Sequence, residues 1–474
     1  MVVGTDTNGI YRTHGGCERI VIHLRKFQRK DVKRIEKFNG RVLLASEMGL
    51  GKTAVALSYL YNHPTLRPAV IVTPACLKWV WESQASEHYN LQTVILSGRK
   101  KPKSGGLFLQ NPIMIINYDI LSSWIPYLKS LNPRVIIGDE VQAIKSRKAQ
   151  RSKAMKELCK GVEHVLMLSG TPLVNRHAEL FHVLNILWPK EFPHFFPFAH
   201  SYCAPRMTPW GWDFRRSSNS HILHSKLKEL GMIRRLKKDV LKDLPSKTRI
   251  IVPIDIQNRL EYEKAKHDFI NWLSMKDPAK AKRASKAQEL VKLGYLIRLS
   301  SELKMKSVFE WIDNFLESED GKLGLFMCHR KIVEMVYERY KKISVMLTGA
   351  TSERGRKEAV QNFQKNDKIR IFIGNIRAAG VGIDLWAANT MAFIETGLVP
   401  ADVLQCEDRF HRIGQTKNVA CYYLVAKDTV EEKLCRILQQ KQKVITNTLD
   451  GKLRRKQSKL DVYSQLIRLI GKGD

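Results

Sequence analysis

The run Ser46-Glu47-Met48-Gly49-Leu50-Gly51-Lys52-Thr53 places glycines, a lysine and a hydroxyl in one short turn between an apolar stretch and a helical pattern. Residues of these types in this order can cradle a phosphate chain. The glycines let backbone N–H groups face the oxygens, the lysine reaches the outer phosphates, and the hydroxyl holds Mg2+. Further along, Val135-Ile136-Ile137-Gly138-Asp139-Glu140 is an apolar run ending in two carboxylates. Such a pair at the C-terminal end of a parallel strand sits where α/β sheets place their ligands. Asp139 is then expected to orient the metal and Glu140 to polarise an attacking water. Met48, Gly49, Leu50, Gly51, Lys52 and Thr53 become the expected nucleotide contacts, and Thr53 and Asp139 the metal contacts. Ser46 stands where the usual loop has its first glycine.

Two groups of elements must position these residues. Apolar runs at Arg41–Ser46, Pro68–Pro74, Leu91–Ser97, Pro112–Asn117, Arg134–Asp139 and Val162–Ser169 alternate with helical patterns at Thr53–Asn62, Leu77–Tyr89 and Arg151–Lys160. The runs are continuous rather than alternating, as in strands covered on both faces of a parallel sheet. A second set follows, with strands expected at Lys322–Cys328, Ile343–Leu347, Ile369–Gly374, Thr390–Ile394 and Val419–Val425. Helical patterns lie at Ile332–Lys341, Arg354–Lys365 and Ala401–Arg412. The expected fold class is α/β: two doubly wound parallel-sheet lobes with a mainly helical insertion between them. The lobes are placed at 22–190 and 304–445, the insertion at 191–303, and a basic helical tail at 446–474, after a short segment 1–21. The insertion holds an aromatic, proline-rich loop, Phe192–Trp212, a basic stretch, Arg234–Lys247, and a helical run carrying Lys276, Lys280, Lys282, Arg283, Lys286 and Lys292.

With 80 Lys+Arg against 46 Asp+Glu, the formal charge is +34. A polyanion suits such a surface, because each neutralised phosphate releases condensed counterions. No stretch is apolar for the length of a membrane span, and the start lacks the pattern of a secretory leader. The eight cysteines are scattered without a C-x-x-C pair. That spacing speaks against zinc and a disulfide framework and fits a reducing compartment. The expected setting is intracellular, either the cytoplasm of a prokaryotic or phage-infected cell or a nucleus.

Together these residues resemble the superfamily 2 helicases in their Swi/Snf-type branch, over about residues 22–445. Leu24-Arg25-Lys26-Phe27-Gln28 resembles the adenine-reading glutamine motif, and Glu47–Thr53 the family's phosphate loop. Thr73-Pro74 resembles a strand-end motif that touches nucleic acid, and Leu168-Ser169-Gly170-Thr171-Pro172 the motif that couples hydrolysis to movement. Gly380-Val381-Gly382-Ile383-Asp384-Leu385 resembles the motif linking DNA with ATP. Gln405 through Gln415 resembles the Q-x-x-x-R-x-H-R-I-G-Q signature. The resemblance implies ATP and Mg2+ as cofactors and RecA-like lobes. It also implies Gln28, Gly382 and Asp384 as further nucleotide contacts, and Arg409 and Arg412 as arginine fingers. Thr73, Pro74, Asn117, Thr348, Gly349 and Asn375 are the implied nucleic-acid contacts, with Gln142, Ser169, Gly170 and Thr171 coupling them to the chemistry.

Within the insertion, Tyr202-Cys203, Pro209 to Asp213, Ser217 to Asn219 and Ile233 to Pro245 resemble the annealing-helicase branch, the HepA-related proteins. That likeness implies a DNA-dependent ATPase that moves on double-stranded or forked DNA and rewinds it; a monomer is expected. A strand-separating DNA or RNA helicase is the alternative, and a non-catalytic nucleic-acid-binding protein a more distant one. Nothing between Lys322 and Lys427 is long enough for an inserted strand-splitting hairpin. Val141-Gln142 stands where the family usually has Ala-His. About two dozen residues precede the motor motifs, so the substrate-recognition domain of annealing relatives is expected to be lacking.

Overall fold

Val, Ile and Leu fill the first sheet so densely that β2 (Ala69–Thr73), β4 (Ile113–Asn117) and β5 (Val135–Asp139) are buried at every position. The computed structural model describes residues 24–99, 112–170, 177–209, 211–214, 216–267, 288–380 and 382–438. Thr171, Trp210, the lysines from 276 to 286 and the 446–474 tail lie outside the described residues. The described chain divides into two units, the first ending at Lys242 and the second beginning at Asp243.

In the first unit, β1 (Arg41–Leu44), β3 (Thr93–Ile95) and β6 (His164–Leu168) join β2, β4 and β5, and β9 (Met232–Ile233) completes the sheet. The order is β3-β4-β2-β5-β6-β1-β9, parallel throughout. Parallel neighbours need crossovers, and the helices Lys52–Asn62, Lys78–Tyr89, Leu121–Ser130 and Gln150–Cys159 supply them. Strand C-termini therefore gather at one edge, which carries Thr73, Asn117, Asp139 and Ser169. A short antiparallel hairpin, β7 (Arg206–Thr208) with β8 (Gly211–Asp213), stands apart from the sheet.

The second sheet runs β10 (Lys247–Ile254), β15 (Val419–Ala426), β14 (Thr390–Phe393), β11 (Leu323–Met327), β13 (Ile371–Asn375) and β12 (Ser344–Leu347), again parallel. Alternate residues of β11 show why both faces are apolar. Phe326 packs with Phe372, Phe393 and Phe410 on one side, while Leu325 and Met327 join Ile373 and Val333 on the other. Burying each such side chain is worth roughly 1.5–3 kcal/mol.

The α/β class and the order of elements match the reading of the sequence. The insertion differs: it contributes β9 to the first sheet and the eight-residue β10 to the second. The second unit thus starts some sixty residues before the expected 304.

Candidate active site

The phosphate loop is shaped by a reversal just before the helix Lys52–Asn62. Gly51, its N-cap, sits at φ 73° and ψ 41°, where a side chain would be strained, and no side chain caps the helix. The N–H groups of Thr53 and Ala54 in its first turn are therefore available to an anion. Lys52 Nζ donates to Ser46 O at 2.9 Å and Glu47 O at 3.3 Å, which folds the lysine back across the loop. Gln28 is pinned at both ends of its amide, accepting from Arg25 N at 2.8 Å and donating to Leu50 O at 3.1 Å. A Cβ on Gly170 would meet Met48 Cγ at 2.2 Å and Lys52 Nζ at 3.3 Å, so only glycine lets this motif approach the loop.

Asp139 ends β5 nearly buried. Its Oδ2 accepts from Trp81 Nε1 at 2.9 Å and Thr73 Oγ1 at 3.2 Å, and its Oδ1 from Glu140 N at 2.9 Å. Burial, then the charge of Glu140, push its carboxyl up to about 6, while Trp81 and Lys52 pull the other way. Glu140 follows in the left-handed region at φ 49° and ψ 52°, an unfavourable conformation for a side-chain-bearing residue that is common at functional sites. Its Oε2 accepts from Gln142 Nε2 at 2.6 Å, and Gln142 Oε1 accepts from Ser169 Oγ at 2.7 Å. Gln142 thus links the carboxylate to the strand-end serine in the place the family usually gives to histidine.

This donor set fits nucleotide and Mg2+. An uncapped glycine-led helix start and a lysine suit phosphates. One or two carboxylates plus a hydroxyl are the ligands Mg2+ takes beside phosphate, and a cation would relieve the crowded charge on Asp139.

The strand-end contacts divide. Thr73 is fully buried with its hydroxyl on Asp139, so its side chain supports the carboxylate. Pro74 is half-buried beside it, and Asn117 is buried at the end of β4.

Sequence reasoning missed a brace around the loop. β9 lies beside β1, and the residues after it close on the phosphate loop. Ala45 N donates to Ile233 O at 2.8 Å and Glu47 N to Arg235 O at 2.9 Å, while Lys237 N donates to the Glu47 carboxylate. Arg234 Nη1 donates to Ala45 O at 2.7 Å and Gly170 O at 3.4 Å. Arg235 pairs with Asp31, at 2.8 Å, on the helix that carries Gln28. The doubled arginine after Ile233 was visible as a motif. Its partners lie up to 204 residues away, and no local pattern reports them.

In the second unit, Arg412 is paired with Asp384, which joins the last two motifs. Arg409 is buried along its helix, donating to Gln405 O at 3.1 Å and Ile383 O at 3.3 Å. Gly382 takes φ 76°. Asn375 caps the helix Ile376–Ala379 and donates to Cys328 O at 2.7 Å, so its amide is held within the unit. Thr348 N donates to Thr351 Oγ1 at 2.9 Å, and Gly349 has open space around it. Glu407, inside the long signature, is fully buried between Lys247, Arg249 and Tyr423. Lys247 and Arg249 hold its carboxyl down at about 2 against the burial that would raise it, and Tyr423 Oη donates to it at 2.7 Å.

A glycine-rich loop between strand and helix, beside a strand-end Asp-Glu pair on a parallel sheet, is the layout of phosphate-loop nucleotide-binding proteins. Comparison with known families narrows this. A model of the SNF2-related domain matches residues 28–307, and one of the helicase conserved C-terminal domain matches 306–414. The chain belongs to the SNF2-related family. The SWI/SNF-related matrix-associated actin-dependent regulator of chromatin subfamily A-like protein 1 of Xenopus laevis is 34% identical over 435 residues, covering 90% of this chain and 44% of that protein. The human DNA annealing helicase and endonuclease ZRANB3 is 30% identical over 451 residues, covering 92% and 41%. The chain thus spans less than half the length of these relatives. A solved Sulfolobus solfataricus SWI2/SNF2 ATPase core in complex with dsDNA aligns with a TM-score of 0.45 at 23% identity, covering 92% of this chain and 94% of that one. No helix among the described residues is long and apolar enough to cross a membrane.

Proposed function

We propose that this chain is a DNA-dependent ATPase that translocates on double-stranded DNA and rewinds forked or partly melted duplex. The observation that carries the reading is the hydrogen-bonded line from Glu140 through Gln142 to Ser169, beside the phosphate loop. It gives a hydrolytic carboxylate a direct tie to the motif that couples chemistry to movement. Lys52 and the start of its helix hold the phosphates, Glu140 orients the attacking water, and Arg412 and Arg409 offset charge that develops on the phosphates. Mg2+, held by Thr53 and Asp139, neutralises phosphate charge when bound. The formal charge of +34 suits a partner gripped by its backbone, as a motor that passes over every base requires. Among the named relatives, the annealing helicase supports rewinding over strand separation.

The test is steady-state ATPase with and without duplex DNA, run on wild type, Lys52→Ala, Glu140→Gln and Arg412→Ala. Lys52→Ala loses nucleotide binding, Glu140→Gln binds ATP without turnover, and Arg412→Ala loses roughly 10^3–10^5-fold in turnover. A fluorescence strand-displacement assay runs beside a bubble-closing assay. Closure of the bubble faster with ATP supports the reading. Robust separation of a tailed duplex without closure would replace it with a conventional helicase.

A further inference from the structure

The helix Phe195–Tyr202 and the β7–β8 hairpin leave a line of aromatic rings at the surface of the first unit. Phe196 is 51% exposed and Trp212 44%, and Met207, paired across the hairpin from Trp212, is 62% exposed. Phe214 connects them, 5.7 Å from Phe196 and 6.4 Å from Trp212, with the Trp212 and Phe214 planes only 21° apart. Single exposed apolar residues are ordinary, but a contiguous group on one face marks a contact surface.

One edge of this line is basic. Lys145, Arg147 and Lys148 are exposed, and the Arg147 guanidinium lies 3.9 Å over the centre of the Phe195 ring. Phe195, Trp212 and Phe214, with Phe196 packed behind Phe214, border with these cations a cleft of about 600 Å³, large enough for a base rather than a few waters. Its acids are Asp213 and Glu179, and Glu179 is largely covered and pairs with Lys145 at 3.7 Å.

Flat π faces beside positive charge suit a ligand with flat rings on an anionic backbone. In a duplex each base face is covered by its neighbours, so stacking on such rings selects unpaired strand. We propose that this cleft binds unpaired nucleotides, a contact additional to the duplex grip. The inference rests on the DNA-motor reading above for its choice of nucleic acid over an acidic peptide. Occupancy would be felt near the chemistry, because Lys145 directly follows the Val141–Ile144 turn that carries Gln142.

The test is fluorescence anisotropy on the full chain without ATP, using labelled oligo(dT) and a duplex of equal length. Trp212→Ala and Phe196→Ala are expected to weaken oligo(dT) binding roughly fivefold to a hundredfold. Trp212→Tyr should restore most of it, and duplex affinity should hold. Lys148→Glu weakens oligo(dT) as well. Equal oligo(dT) affinity in wild type and the alanine variants overturns the proposal. So do equal losses for oligo(dT) and duplex, or a loss confined to Lys148→Glu. Saturation by an acidic aromatic peptide with no oligo(dT) binding would make the cleft a protein-docking surface and likewise overturn it. The assay needs no turnover, so a wild-type ATPase unmoved by duplex DNA counts against the translocase alone.

Discussion

Replacing Arg234 by Met tests whether the brace beside β1 sets the shape of the phosphate loop. The substitution keeps the aliphatic stem and removes a charged donor 2.7 Å from Ala45 O and 3.4 Å from Gly170 O. A hydrogen bond from a charged group contributes about 1.5–3 kcal/mol, and the longer contact adds little. If that energy holds the loop in its phosphate-binding form, losing it weakens nucleotide binding about tenfold to a hundredfold at ~1.4 kcal/mol per decade. Arg234 is only half-buried, which favours the lower end. The assay is titration with a fluorescent ATP analogue beside thermal melting, with Arg234→Lys for comparison. Lysine keeps the charge but carries it on a more strongly hydrated, flexible ammonium in place of the planar guanidinium whose Nη1 meets both carbonyls, so it should recover only part of the affinity. Unchanged nucleotide affinity with a lowered melting temperature would refute the positioning role and leave Arg234 a stabiliser of the sheet edge.

Gln142→Ala should lower kcat with little change in nucleotide affinity, since it cuts the tie between Glu140 and Ser169; stopped turnover and equilibrium binding separate the two. Lys304→Met leaves the Glu431 carboxylate buried without its cation at 2.5 Å. That should cost about 3–5 kcal/mol, or about 6–20 °C by calorimetry for a unit of this size, and Glu431→Leu in the same chain should recover much of it. The His329–Glu395 pair should show in melting temperature against pH. The Glu395 bond raises the His329 pKa above 6.5, so its stabilisation is present below that value and fades as pH climbs through the folded pKa. Glu395, held below 4.5 chiefly by His329 against burial that raises it, contributes above 4.5 and fades as pH falls through its own folded pKa. His329→Gln should flatten the alkaline side, and an unchanged profile would remove the pair from the account.

The first unit was legible because both its strands and its loop declare themselves locally. Pro68–Pro74 was expected as a strand and Ala69–Thr73 is one, since prolines bound it and every residue between is β-branched or small. The second unit's strand β10 was hidden. Lys247 was read as the end of the basic stretch Arg234–Lys247 and nothing after it as a strand, yet Lys247 and Arg249 both point at Glu407, some 160 residues on. Thr73, implied as a nucleic-acid contact by its likeness to a strand-end motif, places its hydroxyl on Asp139, 66 residues away, a contact no local pattern announces. Patterns within one element report faces and ends; they are silent on which distant charge a side chain meets.

Glutamine at position 142 gives the relay a property that histidine would not. An imidazole can take up a proton near neutral pH and so change what it offers each neighbour. A carboxamide keeps a donor at one end and an acceptor at the other at any physiological pH. Turned about, Gln142 would set its oxygen against the Glu140 carboxylate, so the amide has one sensible heading. The amide between Glu140 and Ser169 behaves like a keyed shaft: it transmits orientation but not protons.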